Sequence, residues 1–416
     1  MGTSWIRKKL GEICHKIKAG GTPSRKVLEY WNGDIPFVKI EDISSTNLYL
    51  RDTQEKISQK GLENSNAWIL PPNSVLFSIY GSIGEVAINK IPVATNQAIL
   101  GLIPKNEIIN HKFLAYSLKA FGKYLISYNI QSTQKNLTLE IVKSFEIPLP
   151  PLPIQQKIVK ILDTIQSAVD IQEKIIEKTK ELKKSLMAEL FKYGAPSFRK
   201  GRKLKKTEIG EIPEDWEVLR LGEVALDFLG GGTPSTNVRE YWDGEIPWTT
   251  SSIIEEGKVC ILKNGQRYIT QLGYENSSTK IVPAFNLLVG TRVGVGKVAI
   301  NEIDIAINQD LTGIIINREK INLFYLAYTL TSPRCQAFFN NYKRGATIKG
   351  IPRSDLETML IPLPPLPEQQ EIAEILQTID QKIEIEKRKK ELYEELFKTT
   401  LNKIMNQEID VEKIEV

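Results

Sequence analysis

The chain says nearly the same thing twice, and this internal repeat limits its architecture more than any other feature. Gly20-Gly21-Thr22-Pro23-Ser24 returns 211 residues later as Gly231-Gly232-Thr233-Pro234-Ser235, and Tyr30-Trp31-Asn32-Gly33-Asp34-Ile35-Pro36-Phe37 returns as Tyr241-Trp242-Asp243-Gly244-Glu245-Ile246-Pro247-Trp248. Gly84-Glu85-Val86-Ala87-Ile88 matches Gly296-Lys297-Val298-Ala299-Ile300, and Phe113-Leu114-Ala115-Tyr116 matches Tyr325-Leu326-Ala327-Tyr328. Ile147-Pro148-Leu149-Pro150-Pro151-Leu152-Pro153 matches the stretch 361–367. Solenoid repeats run roughly 20–50 residues, so this is one large module duplicated rather than an array. Trp5 and Trp216 mark where each copy begins, and residues 207–215 have no counterpart before the first copy.

Each copy changes texture at its proline cluster. Before it stand short β-rich runs, such as Ser74-Val75-Leu76-Phe77-Ser78-Ile79 and Asn286-Leu287-Leu288-Val289, broken by glycines. A helical patch over 112–121, mirrored by 324–330, lies among them. After the prolines, apolar residues recur at helical spacing: Ile158, Ile161, Leu162, Ile165 and Val169 onward in one copy, Ile372, Ile375, Leu376, Ile379 and Ile383 onward in the other. Each stretch predicts a helix of about 40 residues, or about 60 Å.

A narrow apolar stripe on so long a helix requires a partner, and the other copy supplies one in antiparallel sense. A coiled coil between separate chains is the alternative. The stripe admits Gln172 and Thr179, so its heptads are imperfect and leave apolar surface for other subunits. Ile165, Val169, Ile176, Ile379, Ile383 and Tyr393 are the candidates for that docking. The expected fold is α+β: two similar mixed α/β domains (1–150 and 214–364) joined by two long antiparallel helices (151–193 and 365–407) as a coiled-coil spacer. A linker (194–213) follows the first helix, and the duplication implies pseudo-twofold symmetry.

Composition narrows the function classes. Cys14, Cys260 and Cys335 form no C-x-x-C pair, so neither a disulfide framework nor a metal site is indicated. His15 and His111 are the only histidines, too few for a mechanism built on imidazole. No apolar run reaches the roughly 18 residues of a membrane helix, and no h-region follows the basic start, so a cytoplasmic protein without membrane contact is expected. The formal net charge of +5 is a mild bias towards a polyanion.

The motifs carry two readings each. Gly-Gly-Thr-Pro-Ser departs from a phosphate-binding loop and reads as a turn. Tyr30-Trp31 and Tyr241-Trp242 read as core aromatics, with base stacking the sharper alternative. The segment from Gly290 to Lys297 fails the Walker A spacing, and Val298 follows the lysine. It reads either as a plain turn or as a glycine loop bringing Arg292 and Lys297 to DNA, with Tyr80 and Ser82 at the matching place in the first copy.

The loops Gln131-Ser132-Thr133-Gln134-Lys135-Asn136 and Arg344-Gly345-Ala346-Thr347-Ile348-Lys349 hold the side chains that bond phosphates and base edges, or are simply solvated. After the Ile-Pro strand the copies diverge, Lys39-Ile40-Glu41-Asp42 against Thr250-Ser251-Ser252-Ile253. One scaffold would thus carry two different reading surfaces. Surface drift would look similar. The DNA-contact candidates are therefore Lys39, Tyr80, Ser82, Gln131, Thr133, Gln134, Lys135, Asn136, Thr250, Ser251, Arg292, Lys297, Arg344, Thr347 and Lys349. The basic run 199–206 is a solvated linker or a phosphate-steering patch.

Taken together, Gly-Gly-Thr-Pro-Ser, Tyr-Trp-x-Gly-x-Ile-Pro-aromatic, Ile-Pro-Leu-Pro-Pro-Leu-Pro before a long helix, and the opening of the second half from Thr207 to Trp216 resemble the type I restriction–modification specificity subunit family. The resemblance spans essentially the whole chain. It implies two domains that each read one half of a split double-stranded DNA target, with the paired helices as a ruler. It also implies two modification subunits on the helices carrying S-adenosylmethionine and adenine methylation, and restriction subunits bringing ATP-driven translocation and Mg2+-dependent cleavage. No cofactor and no catalytic residue is expected in this chain: Leu70-Pro71-Pro72-Asn73 fails as a methylase motif at both ends, and Glu181-Leu182-Lys183 lacks the Pro-Asp of a nuclease. A non-specific coiled-coil scaffold is the rival reading.

Overall fold

The computed structural model describes residues 5–129, 137–345 and 349–414, without the side chains of residues 123, 124 and 126–129. Gln131, Thr133, Gln134, Lys135, Asn136 and Thr347 lie outside the described residues. The chain gathers into two compact units, one running to Glu173 and resuming at Arg388, the other Lys174–Lys387. Each unit thus holds one copy of the module and part of both long helices.

In the first unit, a five-stranded sheet has the order Cys14–Ala19, Ile99–Pro104, Val75–Ser78, Val86–Asn89, Tyr49–Leu50. The central strands are buried on both faces, which is why they read as apolar runs without alternation. His111–Asn129 forms a helix on this sheet, well beyond the expected 112–121. Phe113, Leu114 and Leu118 pack in one core with Val75 and Ile88, and with Ile158 and Leu162 of the first long helix and Leu401 and Ile404 of the second.

The second unit repeats the sheet as Ala225–Gly230, Leu311–Ile316, Asn286–Gly290, Val298–Asn301, Val259–Leu262. Its helical patch is split into Leu323–Thr331 and Pro333–Tyr342, because Pro333 cannot continue the first helix and Ser332 caps the second by accepting from Cys335 N–H. Buried Asn89 and Asn301 make the same bonds in both units, donating to the carbonyls of Pro71 and Ile91, and of Pro283 and Ile303.

A smaller sheet in each unit contains the one parallel strand pair that matters for the site. Ile35–Val38 runs parallel to Ala94–Thr95, with Phe37 opposite Ala94. Trp242–Thr249 runs parallel to Ile305–Ile307, with Trp248 opposite Ala306. Parallel strands end at the same edge, so Lys39 and Asn96-Gln97 emerge side by side, as do Thr250 and Asn308-Gln309. Asn96 N–H donates to Val38 O in one unit, and Asn308 N–H to Thr249 O in the other.

The proline clusters end a strand and start a helix. Glu146–Leu149 pairs with Ile6–Lys9, and Leu360–Leu363 with Glu217–Arg220. The long helices follow at once, Leu152–Tyr193 and Leu366–Met405. They run antiparallel within each unit, tied by Lys390–Glu173 (3.0 Å) in the first and Lys183–Asp380 (2.6 Å) in the second.

The stretch 194–213 is not a bare linker. It holds the turn Pro196–Phe198 and a hairpin of Leu204–Thr207 against Gly210–Pro213. This alters the reading of the basic run. Arg202 is buried against Glu368 and Asp215, Arg199 pairs with Glu189, and the Lys205 ammonium donates to the Glu214 and Trp216 carbonyls. Those three cations hold the segment in place, whereas Lys200, Lys203 and Lys206 remain exposed.

Candidate nucleic-acid interface

At the strand-end edge of the first unit, Lys39 N–H donates to Asp42 Oδ2 (2.8 Å), while Asp42 Oδ1 accepts from Gln54 N–H (3.1 Å). Buried Asp42 thereby fixes the loop from which Lys39 projects. The Lys39 ammonium reaches Glu55 at 2.9 Å, and Arg25 reaches the same carboxylate at 2.7 Å. The Arg25 guanidinium lies 3.5 Å from the centre of the Trp31 ring. Burial pushes the Glu55 carboxyl up, but the Arg25 and Lys39 hydrogen bonds overcome this and hold it below the usual carboxylate range. The Glu55 bond in turn holds Lys39 above its ordinary value.

The second unit builds the same edge from other chemistry. In register with Glu55 stands Arg267, opposite Trp248 as Glu55 is opposite Phe37. Its guanidinium lies 3.8 Å from the Trp242 ring centre, doing for that ring from a strand what Arg25 does for Trp31 from a turn. At the place of Lys39, the Thr250 hydroxyl meets Ser252 Oγ (2.7 Å) and Gln266 Oε1 (2.8 Å), and Gln266 Nε2 donates to Ser252 Oγ (3.1 Å). An ionic triad in one unit is replaced by a neutral hydroxyl–amide cluster in the other. The aromatic pairs pack within the chain, and both tryptophans donate to the serine carbonyl of the Gly-Gly-Thr-Pro-Ser turn.

The neighbouring loops converge on this edge. In the first unit, Ile79 N–H donates to Ala98 O, beside Gln97. Tyr80 and Ser82 are exposed on a turn closed by Ser78 Oγ on Ser82 O (2.5 Å), with Gly81 and Gly84 in the left-handed region. In the second unit, Thr291 and Arg292 N–H groups donate to Asp310 O, and Ile351 N–H donates to Thr291 O. Arg344 and Gly350 bond each other's backbones. Arg292, Arg344 and Lys349 are thus brought together and exposed, although Arg344 also pairs with Asp355 at 2.8 Å.

Two sequence candidates have a different task. Ser251 is 2% exposed because the short helical turn Ser251–Ile253 points it inward. Lys297 donates to the Ser251 carbonyl at 3.0 Å, tying the glycine loop down. The loop therefore offers no free lysine to a nucleotide phosphate. Ser252 and Gln266, together with Arg25, Gln97, Arg267 and Gln309, are the edge residues that sequence reasoning passed over.

On the long helices, Val169, Ile176 and Ile383 are buried, which removes them from any open docking surface. Ile165 and Ile379 are half-buried, and Tyr393 is exposed. Further exposed apolar side chains include Ile171, Ile175 and Leu182 on the first helix and Ile385, Leu392 and Leu396 on the second. The three cysteines are buried, and burial pushes the Cys14 thiol up to about 12. Among the described residues, no group of three or more His, Cys, Asp or Glu is placed to hold a metal ion, and no helix is long and apolar enough to cross a membrane.

The chain is a duplicated DNA-recognition subunit. Residues 3–181 and 213–395 each match the type I restriction modification DNA specificity domain, and the protein belongs to that family. It is 31% identical to a protein assigned as the MjaX type I restriction enzyme specificity subunit of Methanocaldococcus jannaschii, across 98% of this chain and 94% of that one. It is 29% identical to the MjaVIII specificity subunit of the same organism, across 99% and 94%. Its fold is similar to a chain in a structure concerned with complex assembly and conformational transition of the type I R-M system, with a TM-score of 0.64, 19% identity, and 97% and 98% coverage. Sequence-specific DNA recognition, and not generic scaffolding, is its function.

Proposed function

We propose that this chain reads a bipartite DNA target, one half-site per unit, and directs adenine methylation by two modification subunits and cleavage by restriction subunits. The observation carrying this reading is the strand-end edge, which keeps one backbone geometry while holding Arg25, Lys39 and Glu55 in one unit and Thr250, Ser252 and Gln266 in the other. Identical frames with different donor and acceptor sets suit two different base sequences. The first long helix has 42 residues, about 63 Å at 1.5 Å per residue. That exceeds one turn of B-DNA, about 34–36 Å, and supports a ruler for the unspecific gap. The exposed apolar residues of the helices are the surface offered to the modification subunits. In this reading the chain works in the cytoplasm and catalyses nothing itself. S-adenosylmethionine, Mg2+ and ATP belong to its partners.

Methylome sequencing of cells expressing the chain with its modification subunit tests this. Two short methylated blocks with a fixed gap are expected. Replacing residues 1–150 with another reading domain should change one block alone. Methylation without a motif, or a change in both blocks, would overturn the reading.

A further inference from the structure

One exposed pair is the same in both units although its surroundings have diverged. Thr22 Oγ1 donates to Gln97 Oε1 at 2.5 Å, and Thr233 Oγ1 to Gln309 Oε1 at 2.5 Å. All four side chains are exposed, so packing in a core does not explain their retention. Both pairs sit on the strand-end edge, next to Lys39 and Thr250. The backbone is bent to make them: Gly21 N–H bonds Thr95 O, and Gly232 N–H bonds Ile307 O. A Cβ at Gly20 would collide with Thr95, at Gly21 with Asn66, at Gly231 with Ile307 and Asn308, and at Gly232 with Ser278. The paired glycines allow the turn to lie against the neighbouring strand end, and the product of that close approach is a threonine hydroxyl within reach of the glutamine. With its Oε1 bonded to the threonine, each exposed glutamine retains Nε2, a donor of two hydrogens, for a further partner.

We propose that Gln97 and Gln309, oriented by Thr22 and Thr233, bond the DNA sugar–phosphate backbone and anchor each unit in the same register on its half-site. This rests on the two-reader function above. A residue pair identical in two domains that read different bases cannot account for the difference between them. What the two half-sites share is the phosphate backbone, whose oxygens accept hydrogen bonds and which fixes register without carrying sequence. The diverged residues beside the pair then read the bases.

The test uses the chain assembled with its modification subunits. Binding is measured to a duplex bearing the methylation target and to an unrelated duplex of the same length. The double variant Q97A/Q309A should weaken binding to both duplexes by the same factor, about tenfold or more for hydrogen bonds to a charged group. The methylated motif should not change. The near-isosteric Q97E/Q309E should weaken both further, because carboxylates would face phosphates, and it guards against a folding defect in the first variant. Unchanged affinity in both variants overturns the proposal. So does an altered motif, which would make the pair a base reader, or release of the modification subunits, which would make it a protein contact. Equal binding of the unmutated assembly to both duplexes would instead defeat the two-reader function while leaving the anchor measurable.

Discussion

The first turn of each long helix shows how two copies of one template complete the same junction differently. Ile154 in the first unit packs against the apolar core. At the matching position in the second unit stands Glu368, fully buried, whose carboxylate accepts from Arg202, from Trp216 Nε1 at 2.9 Å and from Ala195 N–H at 3.0 Å. Gly194, with φ +82°, lets the chain turn off the first helix there, and a Cβ on it would run into both Arg202 and Glu368. The contrast shows what a buried charge contributes. A hydrophobic closure fills space, whereas four directional bonds select one path for the segment 194–216. A similar division separates the clamps between each long helix and the helix that covers the sheet. Tyr116 and Lys112 hold Asp163 from one helix, while Tyr328 and Lys183 hold Asp380 from two.

The sharpest way to break this comparison is Glu368→Ala against Ile154→Ala. Removing the carboxylate leaves the Arg202 guanidinium buried without its main partner, and the second unit should lose about 3–5 kcal/mol. The isoleucine truncation should cost the first unit about 1–2 kcal/mol, as only part of the side chain is buried. Hydrogen exchange resolved by unit in rising urea reads both, and equal losses would mean that the polar closure adds nothing beyond packing.

A smaller effect is expected where Phe285 adopts φ +59° and is 51% exposed. The matching residue is Asn73, at φ +66°. Asparagine enters this region readily and phenylalanine does not, so Phe285→Asn should raise stability by about 1 kcal/mol and Asn73→Phe lower it by a similar amount. Urea midpoints decide. A stabilising Asn73→Phe would show that the ring itself is favoured there.

The smallest effect concerns His111, where Leu323 stands in the second unit. Burial, with the charges of Lys90 and Lys112, holds this imidazole below its ordinary 6.5, partly opposed by Asp163. The unfolded chain therefore binds the proton first as the pH falls. Stability contributed by neutral His111 is complete above 6.5 and declines below it towards the folded value. Exchange protection of the first unit should fall before that of the second as the pH drops from about 7 to about 5, and His111→Leu should abolish the difference.

The repeat, both long helices and the central strands were legible in the sequence because periodicity and paired motifs are local signals. The repeated Asn96-Gln97 and Asn308-Gln309 stood in the sequence at the common spacing but went unread, because only a folded edge places the glutamines beside Thr22 and Thr233. That Ser251 turns inward and Ser252 outward depends on one short helical turn, which the residue types do not determine. The helix stripe named its apolar residues, but not which of them the chain itself buries. Arg202 resembled its basic neighbours until its carboxylate, 166 residues away, came into view.

The junction at the start of each long helix has a consequence for how new targets arise. Gln155 donates to the carbonyls of Pro150 and Ile108 and accepts from Asn110 N–H. Gln369 does the same with Pro364, Lys320 and Asn322. All six partner groups are main-chain atoms, in three matching pairs, so the latch does not depend on side-chain identity around it. It is a common coupling: a reading domain ending in such a strand fits either helix. On the proposed two-reader function, exchanging one such domain would change half of the address and leave the measuring rod untouched.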